Sequence, residues 1–318
     1  MNETKSMIGA TLAMHSGFVA IVGRPNVGKS TLLNAIIGEK IAITADKPQT
    51  TRNRIRGIYS EINESGNLKP DESGKMWQIV FLDTPGITKP RNKLGEYMTN
   101  TAIGTFGEVD VVLFVVDEEY SDKGGDIFIM EKLRDSDSPV ILVINKMDLM
   151  GPDAFRRTFE KYEETGIFDA IIGTSAIDGA NVSAVIKEIK KHVGEGPQFF
   201  PEGMVTDHPE RFIVKEIIRE KVLNYLHEEV PHGVAIDIES YEETSKITKI
   251  SAVIYTEKKS HKGIIIGKDG RKLKGIGKSA REEIEFLLGT KVYLGLWVKV
   301  KDNWRDSDYM LNSLGYRD

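Results

Sequence analysis

Residues 23–30 read GRPNVGKS, directly after the apolar run 18–22 and directly before the helix-forming stretch 31–37. A glycine, four residues and then Gly-Lys-Ser is the pattern of a phosphate-binding loop, provided that a strand precedes it and a helix follows. Both conditions are met. Glycines let backbone N–H groups turn inward around phosphate oxygens, and the helix N-terminus adds positive partial charge. On this reading Gly23, Arg24, Pro25, Asn26, Val27 and Gly28 form the cradle. Lys29 reaches the β- and γ-phosphates, and Ser30, with Thr31 beside it, offers its hydroxyl to Mg²⁺.

Three further elements follow at the ends of predicted strands, in the order that a GTPase requires. Asp83-Thr84-Pro85-Gly86 ends the third strand. There Asp83 can hold the metal through water and the Gly86 N–H can sense the γ-phosphate. Asn145-Lys146-Met147-Asp148 ends the fifth. A carboxylate at Asp148 accepts from N1–H and the exocyclic amine of guanine, and an adenine there leaves it unpaired, a mismatch that can cost ~10⁴-fold. Ser175-Ala176, after the sixth strand, offers a backbone N–H to guanine O6. Between strands one and two stands Gln49-Thr50-Thr51-Arg52, where one threonine is expected to ligate Mg²⁺, Thr51 in preference to Thr50. Lys29, Thr51, Asp83 and Gly86 are thus the candidate catalytic set. The glutamine that many GTPases place after this Asp-x-x-Gly is missing, since Ile87 and Thr88 follow Gly86. Slow intrinsic hydrolysis is therefore expected, with charge or positioning supplied otherwise. Asn26 is either a ligand for a K⁺ ion beside the β,γ-bridge or a residue that only stabilises the loop turn.

Around these motifs the first 193 residues alternate strands and helices. The strands are predicted at 18–22, 54–59, 77–82, 111–116, 140–144 and 170–172. Runs such as VVLFVV and VILVI, apolar on both faces, are those of a mostly parallel, doubly wound sheet covered on both sides. Residues 63–75, NESGNLKPDESGK, form a polar, solvated and mobile hairpin tip. The Gly- and Pro-containing stretch 194–209 reads as a linker. Beyond it the pattern becomes a helix over 210–229, strands at 234–239 and 247–255, a helical region, a strand at 292–300 and a short tail helix. With 318 residues, 40% hydrophobic and 29% charged, two folded domains are expected. No stretch approaches the ~20 apolar residues of a membrane span, and the first 16 residues do not read as a signal peptide. Zero cysteines exclude disulfides and thiolate metal sites, and the six histidines lack metal-ligand spacing. A reducing, cytoplasmic setting fits. Nothing points to an obligate protein partner, and a monomer is expected.

A second Gly-Lys-Ser occurs in GIGKS, residues 275–279, but the glycine needed five residues before Gly277 is replaced by Lys272. No second base-recognition motif follows. The wider segment is instead basic: the net charge of −5 hides nine basic and two acidic residues within 257–281. Gly267-Lys268-Asp269-Gly270 is a GxxG between the apolar Ile264, Ile265 and Ile266 and a helix. Two glycines let a nucleic-acid backbone come close to the main chain, and such a clamp holds about four nucleotides. Lys262, Ile266, Gly267, Lys268, Asp269, Gly270, Arg271, Lys272, Lys274 and Lys278 are the candidate RNA-binding residues.

GRPNVGKS, QTTR, DTPG, NKMD and TSA, followed by IIIGKDG, together resemble the Era family of bacterial GTPases over nearly the whole chain. The resemblance implies an α/β P-loop GTPase domain over 1–193, a linker at 194–209, and an α+β type II KH domain over 210–318. It further implies GTP, GDP and Mg²⁺ as ligands and a role in small ribosomal subunit assembly. Binding to the 3′ end of 16S rRNA would be favoured by GTP, and peripheral association with the inner face of the membrane is implied as well. The insertion at 63–75 departs from the compact family pattern. A competing reading is a signalling or membrane-associated GTPase whose KH-like module binds protein; RNA binding, unlike that, must weaken steeply as salt rises. A tRNA-modifying enzyme is disfavoured by the lack of cysteine and of another catalytic constellation. A nucleotide-binding protein that does not hydrolyse is the remaining possibility.

Overall fold

The apolar strands of the N-terminal half send alternate side chains to opposite faces, as period two requires. In β4 (Val111–Val116) residues 111, 113 and 115 enter one core, and 112, 114 and 116 enter the other. The fold is that of a computed structural model, described over residues 13–316 except 46, 48, 49, 118, 119, 121–123 and 227–229. Gln49 and the end of the helix expected over 210–229 lie outside the described residues.

The chain runs β1 (Met14–Gly23), α1 (Lys29–Ile37), β2 (Ile55–Ser60), β3 (Met76–Asp83), α2 (Lys93–Gly104), β4, α3 (Gly125–Leu133), β5 (Val140–Ile144), α4 (Pro152–Glu163), β6 (Ala170–Gly173) and α5 (Val182–His192). The strand order is β2-β3-β1-β4-β5-β6, with only β2 antiparallel to its neighbour. Helices α1 and α5 cover one face; α2, α3 and α4 cover the other. The strand order reverses beside β1, which places the loop after β1 at the crevice where open α/β sheets bind ligands.

The second unit follows as α6 (Glu210–Tyr225), β7 (Ala235–Glu243), β8 (Ile247–Thr256), α7 (Lys259–Ile266), α8 (Arg271–Leu288), β9 (Lys291–Val300) and α9 (Asp308–Ser313). Strand β8 lies between antiparallel β7 and parallel β9, and α6, α7 and α8 pack on one face of that sheet. The tail after β9 fills the space between the two units. Trp304, Met310, Leu311, Leu314 and Tyr316 pack with Ala235 and with Leu94 and Met98 of α2.

Two stretches make hydrogen bonds that the sequence did not announce. Residues 63–75, largely exposed, are organised by local bonds: Asp71 accepts from the Trp77 indole N–H at 2.7 Å and the Ser73 hydroxyl at 2.6 Å, while Asn63 closes its own turn through the Ser65 N–H at 2.9 Å. Segment 194–209, the expected linker, lies against the sheet of the first unit. The Gln78 amide oxygen accepts from the N–H groups of Phe199 and Phe200 at 2.8 and 2.9 Å, and the Ile58 N–H donates to Val205 O at 2.8 Å. Buried polar groups need partners, and these backbone amides find them on the sheet. Among the described residues no helix is long and apolar enough to cross a membrane.

Candidate nucleotide pocket and RNA groove

The loop after β1 closes on a cavity of about 390 Å³ whose walls include Asn26, Lys29, Thr51, Gly86, Asn145 and Asp148. Gly28 sits at φ +95°, and a Cβ there would lie 2.2 Å from Asn145 Nδ2, so the turn admits only glycine. Lys29 is buried, its ammonium donating to Gly23 O at 3.2 Å and Arg24 O at 2.8 Å. Burial lowers its pKa to about 8, against the pull of Asp83 and Asp117, so it stays charged at neutral pH. Gly86 lies against the loop: a Cβ there would meet Pro25 N at 2.6 Å.

Ser30, Thr51 and Asp83 converge although they stand far apart in the chain. The Ser30 hydroxyl donates to Asp83 Oδ2 at 2.6 Å and lies 2.8 Å from Thr51 Oγ1, which itself is 3.4 Å from Asp83 Oδ2. Thr50 turns the other way, onto Ala45 O and Lys47 O. Asp83 is fully buried; desolvation raises its pKa to about 6 despite Lys29, and its Oδ1 has no hydrogen-bond partner. A buried carboxylate with one unpaired oxygen beside two hydroxyls is a set of hard oxygen donors that fits Mg²⁺. Asn26, at φ 68°, is exposed at the mouth, and its carbonyl accepts from Lys146 Nζ at 2.7 Å.

At the other end Asn145 acts as a staple. Its Nδ2 donates to Val27 O at 2.9 Å, and its Oδ1 accepts from the Thr174 hydroxyl at 3.2 Å and the Ala176 N–H at 3.0 Å. The Ala176 N–H, which lies at the cavity wall, is thus engaged within the protein, as is that of Ser175 with Ala180 O at 3.2 Å; the pair was expected to offer one backbone N–H to the base. Asp148 is exposed and accepts from Ser175 Oγ at 2.8 Å. Two more expected residues turn away from the cavity. Thr84 donates its hydroxyl to Ile21 O at 2.8 Å, and Arg24 reaches Asp126 at 2.9 Å. Pro85 and Ile87 are buried, which leaves the segment after Gly86 without a polar side chain aimed at the phosphates until Thr88. Val27 belongs to the core, and Thr31 lines the cavity.

In the second unit the GxxG forms a single 3₁₀ turn, Lys268–Gly270, between α7 and α8. Gly267 (φ +73°) is held so close to Lys272 that a Cβ would meet Lys272 Cβ at 2.7 Å. Beyond the turn runs a groove of about 760 Å³, one wall α8 with Arg271, Lys274 and Lys278, the other β9 with Tyr293, Leu294 and Leu296. Arg281, on the far turns of α8, and Tyr293, Leu294 and Leu296 are lining residues that sequence reading missed, the last three because only strand pairing places β9 beside α8. Lys262, Ile266 and Lys272, expected to bind RNA, are not in that wall; Ile266 packs against the core. GIGKS lies within α8 and makes no phosphate loop. There Gly275 leaves room for the Tyr225 ring, 3.0 Å from where its Cβ would stand.

Comparison with known proteins agrees with both halves. A family model described as a 50S ribosome-binding GTPase matches residues 18–146, and a KH domain model matches 229–305. GTPase Era of Alkaliphilus oremlandii is 57% identical over 307 residues, 96% of this chain and 100% of the relative. GTPase Era of Clostridioides difficile is 53% identical over 306 residues, 95% and 99%. Two solved structures cover 96% of this chain and 100% of their own. Era of Aquifex aeolicus bound to GDP and AlF4⁻ has a TM-score of 0.87 at 38% identity. Era in complex with MgGDPNP and nucleotides 1506–1542 of 16S ribosomal RNA has 0.88 at 39%. The likeness runs over nearly the whole of this chain and of each of those relatives, and the chain belongs to the GTPase Era family.

Proposed function

We propose that the chain is a GTP-driven switch acting on the small ribosomal subunit, with a G domain over 1–193, a linker at 194–209 and a KH domain over 210–318. The KH groove takes the single-stranded 3′ region of 16S rRNA, a reading supported by a relative solved in complex with nucleotides 1506–1542 of 16S ribosomal RNA. The observation that carries the RNA reading is the groove itself. Its α8 wall is lined with lysine and arginine and its β9 wall is apolar, which suits a phosphate backbone on one side and bases on the other.

At the nucleotide end Lys29 carries its charge on a buried side chain, where it acts on β- and γ-phosphate oxygens more strongly than it would in bulk water. Ser30, Thr51 and Asp83 hold Mg²⁺, which supplies neutralisation of the β- and γ-phosphate charge when bound. The Gly86 N–H and the closed loop orient the γ-phosphate, and Asp148 selects guanine. Asn26 at the mouth holds K⁺; equal hydrolysis rates in KCl and NaCl at fixed Mg²⁺ would remove that role. The work is done in the cytoplasm, and peripheral membrane contact rests on the family resemblance alone.

The test is crosslinking and sequencing of the RNA bound to the full chain with a GTP analogue and with GDP. Enrichment of the 16S 3′ region, stronger with the analogue, is expected. No ribosomal RNA in either state defeats the reading.

A further inference from the structure

The loop that carries Thr51 is gripped by the second unit at Thr44, Thr50 and Arg52. At one end the Thr44 N–H donates to Glu220 Oε1 at 3.1 Å. The Thr50 carbonyl accepts from the Arg219 guanidinium. Glu220 is itself held by Lys40 at 2.7 Å and Lys221 at 3.1 Å, and Arg219 by Glu216 at 3.0 Å, so α6 presents a preset charge pattern to the loop. A loop of this kind reads as flexible from its sequence. Here it is clamped.

Arg52 makes the deepest contact. Only 2% exposed, it donates through Nη1 to Val234 O at 2.6 Å and through Nη2 to His232 O at 3.3 Å. Its guanidinium carbon lies 5.6 Å from the Trp304 ring centroid and 5.9 Å from that of Tyr316, whose hydroxyl is 3.4 Å from Nη1. All of these partners belong to the second unit and its tail, and none is a carboxylate. Thr51 and Arg52 are adjacent in the chain but meet different partners, Thr51 in the first unit and Arg52 in the second. With Arg52 drawn into the socket, Thr51 is directed at Ser30 and Asp83, at the distances given above. Burying a cation against carbonyls and aromatic faces is affordable only while the socket is complete.

We propose that Arg52 is a positioning residue for GTP hydrolysis, and that Trp304, Tyr316 and the Val234 and His232 carbonyls form the socket by which the C-terminal unit holds Thr51 over the phosphates. This rests on the nucleotide reading of the pocket. The second unit then completes the metal side of the active site without touching the nucleotide. A ligand that draws residues 230–316 away from the loop releases Thr51 and slows hydrolysis.

The experiment measures GTP turnover against Mg²⁺ concentration, together with GDP affinity, for the full chain and for Arg52→Ala, Arg52→Lys and Trp304→Phe. For Arg52→Ala the maximal rate is expected to fall between about 10- and 100-fold, as misplacement of a catalytic group does. The Mg²⁺ needed for half-maximal rate rises, and GDP affinity changes by less than about twofold, since GDP binding does not need Thr51. Arg52→Lys, which keeps the charge but loses the planar fork, is expected to restore the rate only in part. Trp304→Phe, altered from the socket side, moves the rate and the Mg²⁺ requirement in the same direction by less. Wild-type behaviour of Arg52→Lys and Trp304→Phe overturns the proposal. So does a fall in GDP affinity as large as the fall in rate, which indicates general structural damage. If the unaltered chain hydrolyses no GTP, the pocket reading fails first.

Discussion

Asp83 is ionised at a cost when no cation is present, and replacing it with asparagine should show how large that cost is. Burial raises its pKa from 3.8 to about 6, a gap of about two pH units, worth roughly 3 kcal/mol at about 1.4 kcal/mol per unit. The folded protein therefore holds this proton more tightly than the unfolded chain does. Its contribution to stability is complete below about pH 4 and is lost as the pH rises through about 6. Near pH 7.5 nearly all of the ~3 kcal/mol has been lost, and near pH 5 about half of it. Lys29, whose pKa burial lowers to about 8, is protonated across that window and adds almost no slope. The pH-independent effects of an asparagine cancel when the two conditions are compared. Urea titrations of nucleotide-free, divalent-free wild type and Asp83→Asn should thus show the variant's relative stability growing by about 1.4 kcal/mol from about pH 5 to about pH 7.5. With Mg²⁺ and GDP the order should reverse, because only the carboxylate gains from the cation. A difference that stays constant with pH, or that shrinks as the pH rises, would refute the account of Asp83 as a desolvated, unsatisfied ligand.

Other outcomes follow from the same geometry. Gly28→Ala places a methyl 2.2 Å from Asn145 Nδ2 at a φ of +95°; GDP binding should be lost and stability should drop by roughly 1–3 kcal/mol, read by isothermal titration and thermal melting. Lys274→Ala in the groove should weaken RNA binding about equally for all sequences and reduce the salt slope by about one, measured by fluorescence anisotropy at several salt concentrations. Asp148→Asn should lose most of the preference for GDP over ADP in competition binding, since the carboxylate that accepts two guanine donors is gone.

The nucleotide motifs were legible because each is a short contiguous stretch whose chemistry depends on local turns. GRPNVGKS needs only a strand before it and a helix after it, and the strands that precede the other motifs announce themselves by continuous apolar runs. The placement of Ser30 beside Asp83 follows from β1 and β3 lying parallel and side by side. What escaped the sequence was the use already made of particular donors. Nothing in TSA says that the Ala176 N–H goes to Asn145, or that Thr84 faces Ile21. The groove was legible only by half, its helix through the GxxG and the lysines, while Tyr293, Leu294 and Leu296 belong to it because β9 pairs with β8 beside α8.

The sequence by itself determined that the first Gly-Lys-Ser closes a loop and that the second does not. In GRPNVGKS the glycine spacing turns the backbone inward, and in GIGKS the same tripeptide lies along a helix, where Gly275 makes room for Tyr225. Tertiary structure alone decided how the halves are joined. Arg52 reads as one more exposed arginine in a polar loop until Trp304 and Tyr316, from the far end of the chain, close over it. Composition and period report whether a side chain is suited to burial, but a buried cation is stable only where distant carbonyls and ring faces happen to meet it, and that meeting is made by the fold.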